Sequence, residues 1–160
     1  MPQPLKTTEL ADGTRSVPGA LLPLKEIIMA ELSLVLVTPE RTLFDRPVAS
    51  IRVPLFDGSA GFYPGRAPLV GRLGIGELRL TEASGAVESY FIDGGFVQVK
   101  GAVVSVLTNA AIVTSELSRK AAVAKLEEAN AERARTDAEY VSSSRRLEKA
   151  RKMLALATRD

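Results

Sequence analysis

The sequence predicts an α+β protein that is mainly β. An antiparallel β-sandwich or flattened barrel of about eight to ten short strands comes first, and an antiparallel two-helix hairpin follows. Three observations carry this. Apolar and polar residues alternate with period two from Glu31 to about Val113. Turn-forming residues interrupt that alternation at spacings of ~8–12 residues. From Thr114 onward the composition shifts to alanine, glutamate, lysine and arginine, all strong helix formers. A chain of 160 residues, 46% apolar and 25% charged, holds enough material for one sizeable core and an appendage.

Residues 1–28 carry four prolines, scattered polar residues and neither a helical nor a strand period. They read as a disordered extension, or as an over-extended start with Met29 as the original initiator; a docking peptide is the sharper alternative. The sandwich is expected over 29–113. Leu32, Leu34 and Leu36 alternate with Ser33, Val35 and Val37, and Ile51 and Val53 with Arg52 and Pro54. Leu78 and Leu80 repeat the rhythm, then Val97 and Val99, then Val104 and Val106. Thr38-Pro39, Phe56-Asp57-Gly58, Ala83-Ser84-Gly85, Asp93-Gly94-Gly95 and Lys100-Gly101 are the turn signals between runs.

The hairpin is expected over 114–160. Thr114 or Ser115 is placed to cap its first helix, with Glu116 in the first turn, where a negative charge suits the helix dipole. The helix breaks near Arg135-Thr136-Asp137, and Thr136 with Glu139 makes a capping box for the second. Leu147, Ala150, Leu154 and Ala157 then fall on one face. In the first helix the apolar positions are mostly alanine, among them Ala121, Ala122, Ala124, Ala129, Ala131 and Ala134, beside Leu117 and Leu126. Because a large core side chain is worth roughly 2–5 kcal/mol more than alanine, such a seam is weak. Ser142-Ser143-Ser144 weakens the second helix further. The pattern fits either a plain packed hairpin or one able to leave its resting place.

Composition excludes several functions. Without cysteine there is no disulfide, thiolate metal site or cysteine nucleophile; without histidine the commonest general base and metal ligand are missing too. These absences argue against an enzyme. Apolar runs fall far short of the ~20 residues that cross a bilayer, and Ala20-Leu21-Leu22-Pro23-Leu24 is too short and proline-broken for a signal peptide.

Two features invite a functional reading. In Gly61-Phe62-Tyr63-Pro64-Gly65-Arg66-Ala67-Pro68, two glycines and two prolines fix the backbone around two aromatic rings. The loop either seals one end of the sandwich or presents an interface, since rigid aromatics bury much area with little entropy loss. The second feature is basic. Residues 29–113 hold seven Lys/Arg against eight Asp/Glu, a net of −1, whereas 114–160 hold eleven against eight, a net of +3. Arg145, Arg146, Lys149, Arg151 and Lys152 are opposed locally only by Glu148. This is a solvated face or the contact for an acidic partner.

A Leu-rich strand with Thr38-Pro39-Glu40, then Gly61 to Leu69, Asp93-Gly94-Gly95-Phe96-Val97, Val104-Ser105-Val106-Leu107 and a charged, alanine-rich hairpin together resemble the ε subunit of the F-type ATP synthase, over residues 29–160. The resemblance implies a non-catalytic rotor subunit at the cytoplasmic face of the bacterial inner membrane, attached through the complex. Its sandwich would dock on the γ subunit and the polar loops of the membrane c-ring. Its hairpin would be a movable brake that reaches the catalytic α/β subunits and inhibits ATP hydrolysis, with Arg145 to Lys152 meeting an acidic motif there. The loop position that is often histidine in the family is Arg66 here, a permanent cation. Some members bind regulatory ATP through a motif resembling Ile/Leu-Asp-x-x-Arg-Ala at the start of the hairpin. Here Ser115-Glu116-Leu117-Ser118-Arg119-Lys120 keeps only the acid, Glu116, and the arginine, Arg119. No other cofactor is implied.

Two other classes compete. A free-standing β-barrel could bind nucleic acid or act as an adaptor through its basic second helix. Its β-domain, however, lacks a basic, aromatic stacking face. A carboxylate hydrolase needs paired acids in a cleft, whereas Glu77, Glu82, Glu88 and Asp93 are scattered along the sequence.

Overall fold

A computed structural model describes residues 31–157, so the reading of residues 1–28 and of Met29 lies outside the described residues. Eight strands come first: β1 (Leu32–Val37), β2 (Thr42–Val48), β3 (Ser50–Leu55), β4 (Gly58–Phe62), β5 (Leu69–Thr81), β6 (Val87–Lys100), β7 (Val103–Leu107) and β8 (Ala111–Val113). A 3-10 turn at Thr114–Glu116 leads to helix α1 (Arg119–Ala131) and helix α2 (Asp137–Ala157).

The strands run in the order β2-β1-β7-β6-β5-β3-β4, with β8 also on β6, and fold over as a sandwich that does not close into a barrel. Alternation decides which side chains face inward. Leu34, Leu36, Val53, Phe62, Leu78, Leu80, Ile92, Val97, Val104 and Val106 are all 0% exposed and form one core. Each such side chain contributes about 1.5–3 kcal/mol through removal from water.

Two expectations need correction. The sheet is not wholly antiparallel, because β1 and β7 pair in parallel, Leu34 opposite Val104 and Leu36 opposite Val106. Period-two alternation reports which face is buried and carries no information about neighbour direction. Nor is Asp93-Gly94-Gly95 a turn between strands. It is a kink inside β6, whose far half pairs with β7 and whose near half pairs with β8. Gly94 (φ 67°) and Gly95 (φ 113°) make it possible, and a Cβ on Gly95 would lie 1.8 Å from the Leu107 carbonyl oxygen.

A polar cluster ties β2 to the β5–β6 hairpin. Arg46 bridges Glu82 at 3.0 Å and also Glu88, whose Oε2 accepts from the Tyr90 hydroxyl at 3.0 Å. The Arg46 hydrogen bond holds the Glu88 carboxyl below the usual range, while burial is the first cause raising the Tyr90 phenol.

The hairpin begins later than the sequence suggests. Ser118, not Thr114 or Ser115, caps α1 by accepting from the Ala121 N–H at 3.3 Å. Thr114 is drawn away because its hydroxyl donates to the Ser89 carbonyl at 3.1 Å, which fixes the 3-10 turn to the sheet. At α2 a variant of the capping box forms, its return bond shifted one residue, from Thr136 to Arg135. Thr136 Oγ1 accepts from the Glu139 N–H at 3.2 Å, and Glu139 reaches back to the Arg135 N–H at 2.7 Å. The buried face of α2 is Ala150, Met153 and Leu156, with Leu147, Leu154 and Ala157 half-buried beside it.

Candidate functional site

The hairpin lies on the outer face of the sheet and is attached in two ways. The first is a small apolar cluster, with Phe91 of β6 packed against Ala122, Met153 and Leu156 and flanked by Ile75, Ile112, Leu117 and Leu154. The second is electrostatic. Asp93, at the kink of β6 and 8% exposed, receives Lys149 Nζ at 2.7 Å and Arg145 at 3.4 Å. The two cations are four residues apart and so share one face of α2. The backbone around Asp93 is itself pinned, its N–H donating to the Ala110 carbonyl at 3.1 Å and its carbonyl accepting from Asn109 at 3.0 Å. A fixed carboxylate and two cations of α2 make a latch.

Of the five basic residues expected as a contact surface, Arg145 and Lys149 are therefore turned onto Asp93, and Arg146 pairs with Glu132 across the hairpin. Arg151 and Lys152 are exposed, and Lys152 stands at the rim of a crevice. Sequence reasoning passed over Asp93 as one scattered acid among several. Its signal was its setting, a carboxylate between a core isoleucine and two glycines.

The loop 61–68 splits by function. Phe62 is wholly buried and belongs to the core, while Tyr63 is 64% exposed. Gly65 (φ 84°) makes the turn after Pro64, and Ala67 and Pro68 lie exposed before β5. Arg66 donates to the Gly61 carbonyl at 2.6 Å, and its guanidinium lies 5.1 Å from the Phe62 ring centroid. It closes its own loop. Of the two rings, only Tyr63 is presented outward.

A crevice of about 1180 Å³ separates α2 from the sandwich. Phe56, Phe96 and Leu107 line one side, Tyr140 and Val141 the other, and all five are exposed. Phe96 and Leu107 are register partners on β6 and β7, and Arg72 stacks over Phe56 at 4.8 Å. Exposed apolar patches of this kind mark interaction surfaces. The sequence held part of the clue, since Phe96 and Leu107 are large apolar residues on the outward beat of the strand alternation. Glu116 and Arg119 are both exposed and line neither this crevice nor the smaller depression beside Tyr63. Among the described residues no cluster of acids could hold a metal, and no helix is long and apolar enough to cross a membrane.

A sandwich presenting apolar and basic surfaces beside a lightly latched hairpin has the build of an interaction module. Comparison with known proteins gives the particular case. The profile described as "ATP synthase, Delta/Epsilon chain, beta-sandwich domain" matches residues 31–114. An ATP synthase epsilon chain of Rhodopirellula baltica is 52% identical over 95 residues, covering 59% of this chain and 73% of that one. One from Symbiobacterium thermophilum is 36% identical over 119 residues, covering 69% and 85%. Among solved structures, a chain of the Euglena gracilis mitochondrial ATP synthase (OSCP/F1/c-ring) has a TM-score of 0.73 at 26% identity, covering 90% of this chain and 89% of that one. The chain belongs to the epsilon-subunit family of the F-type ATP synthase.

Proposed function

We propose that this subunit docks in the central rotor, its sandwich on γ and the c-ring, at the cytoplasmic face of the bacterial inner membrane, and that its hairpin is a movable inhibitor of ATP hydrolysis. The hairpin's attachment carries this reading. It rests on four buried side chains, one an alanine, and on one carboxylate, against the fifteen buried residues of the sandwich core. Elements that move are drawn from the lightly held parts of a fold. The apolar crevice and the exposed Tyr63 support docking of the sandwich, as rings and apolar side chains concentrate at interface centres.

The latch also suggests how the two positions exclude one another. Arg145 and Lys149 neutralise Asp93 while the hairpin is docked, so they reach an acidic surface of a catalytic subunit only after leaving it. Arg151 and Lys152 stay exposed in the docked position and are free to make the first contact. No resident cofactor belongs to this mechanism.

The test uses the assembled ATP synthase. Asp93→Asn is expected to release the hairpin and lower ATP hydrolysis, and removal of residues 119–160 to raise it. Hydrolysis unchanged by both leaves the hairpin a purely structural element.

A further inference from the structure

Arg52 of β3 and Arg79 of β5 are direct partners in the antiparallel ladder. Their neighbours Ile51 and Leu80 point into the core, so both arginines stand on the outer face, and both are exposed. Directly opposed side chains have Cβ atoms roughly 4.5–5.5 Å apart, where like charges destabilise the sheet. Among the described residues no acid is ion-paired to either arginine; Arg52 donates only to the Ser59 hydroxyl, at 3.4 Å.

The surroundings suit a carboxylate. Ser50, Thr81, Ser59, Gly61 and Tyr63 join the two arginines around a depression of about 450 Å³. The Tyr63 ring leans over Gly61, where a Cβ would lie 3.4 Å from its Cε2. Two adjacent guanidinium forks can each grip a carboxylate with paired N–H donors. The amides of β3, which lies between β4 and β5, serve those two ladders, so the charged donors offered here are the guanidinium groups. An open face combining arginine with an exposed tyrosine has the composition of a protein contact.

We propose that the Arg52–Arg79 pair is a docking site for an acidic side chain, aspartate or glutamate, of a neighbouring subunit in the assembled complex. This rests on the docking reading above and gives one of its contacts a chemistry. The partner's carboxylate relieves the repulsion that the isolated sheet carries.

The experiment uses the full chain within the ATP synthase. In Arg79→Gln and Arg52→Gln the isolated subunit should melt no lower than the original, since repulsion is removed. Its affinity for the complex should fall roughly tenfold, seen as earlier release along a salt gradient. In Arg79→Lys, a carbodiimide should join the new amine to an aspartate or glutamate of a neighbour, identified by mass spectrometry. Unchanged retention with no such cross-link, while the original subunit still co-purifies, overturns the inference alone. Failure of the original subunit to co-purify overturns the docking reading instead. A melting shift of the isolated subunit by millimolar inorganic phosphate, lost in Arg79→Gln, would assign the pair to a small anion and also overturn the proposal.

Discussion

The sandwich and the hairpin are built from the same chain by opposite means. Phe62, Leu34 and Leu80 fill the sandwich with large side chains from strands far apart in sequence, so the core holds only when all are in place. The hairpin offers Ala122, Ala129 and Ala150 at most of its buried positions and relies on Met153, Leu156 and the Asp93 latch to stay where it is. One region is specified by volume, the other by a few contacts that can be exchanged. On the proposed reading, that contrast puts the motion at the seam and not within either region.

The contrast can be broken by experiment. The largest effect is expected from Phe62→Ala, which should cost the whole domain about 3–5 kcal/mol in denaturant unfolding. A much smaller loss would mean that the loop residue, though buried, is not part of the core. Next comes Asp93→Asn. It should cost about 1–3 kcal/mol in charged hydrogen bonds, and amide exchange should quicken in 137–157 while the strands keep their protection. Uniform loss of protection would show that the two regions unfold together. Arg66→Glu removes the bond to the Gly61 carbonyl and should cost about 1 kcal/mol while weakening retention on the complex. If neither changes, the loop is only a well-formed turn.

The smallest effect concerns acid. Glu88 is held below its ordinary value by Arg46, so its contribution is fully present above the ordinary glutamate pKa of about 4.3. It is lost as pH falls from there through the lower, folded value, because the unfolded chain binds the proton first. Acid titration of Glu88→Gln against the original chain should show a shallower loss of stability in the variant below about pH 4.3.

Much of this was legible in advance. The alternation at Leu32, Leu34 and Leu36 named their buried face correctly, and the capping pair Thr136 and Glu139 marked the start of α2 to the residue. Both signals are local. The misreadings were of contacts between distant segments. Ser118 caps α1 because the Ser89 carbonyl claims Thr114, and Asp93-Gly94-Gly95 bends a strand because Leu107 passes close behind Gly95. In the candidate site, the basic run and Tyr63 could be found by composition. The carboxylate that receives two of those cations could not, since Asp93 and Lys149 lie 56 residues apart.

Alone, then, the sequence determined the fold class, the division into sandwich and hairpin, and the absence of histidine and cysteine chemistry, because periodicity, turn residues and side-chain inventory act over a few residues. Only the tertiary structure decided that β1 and β7 run in parallel, that Arg52 stands against Arg79, and that Asp93 receives two cations of α2. Those are facts of strand pairing, where register and neighbour are chosen by the packing of the whole core rather than by any segment within it.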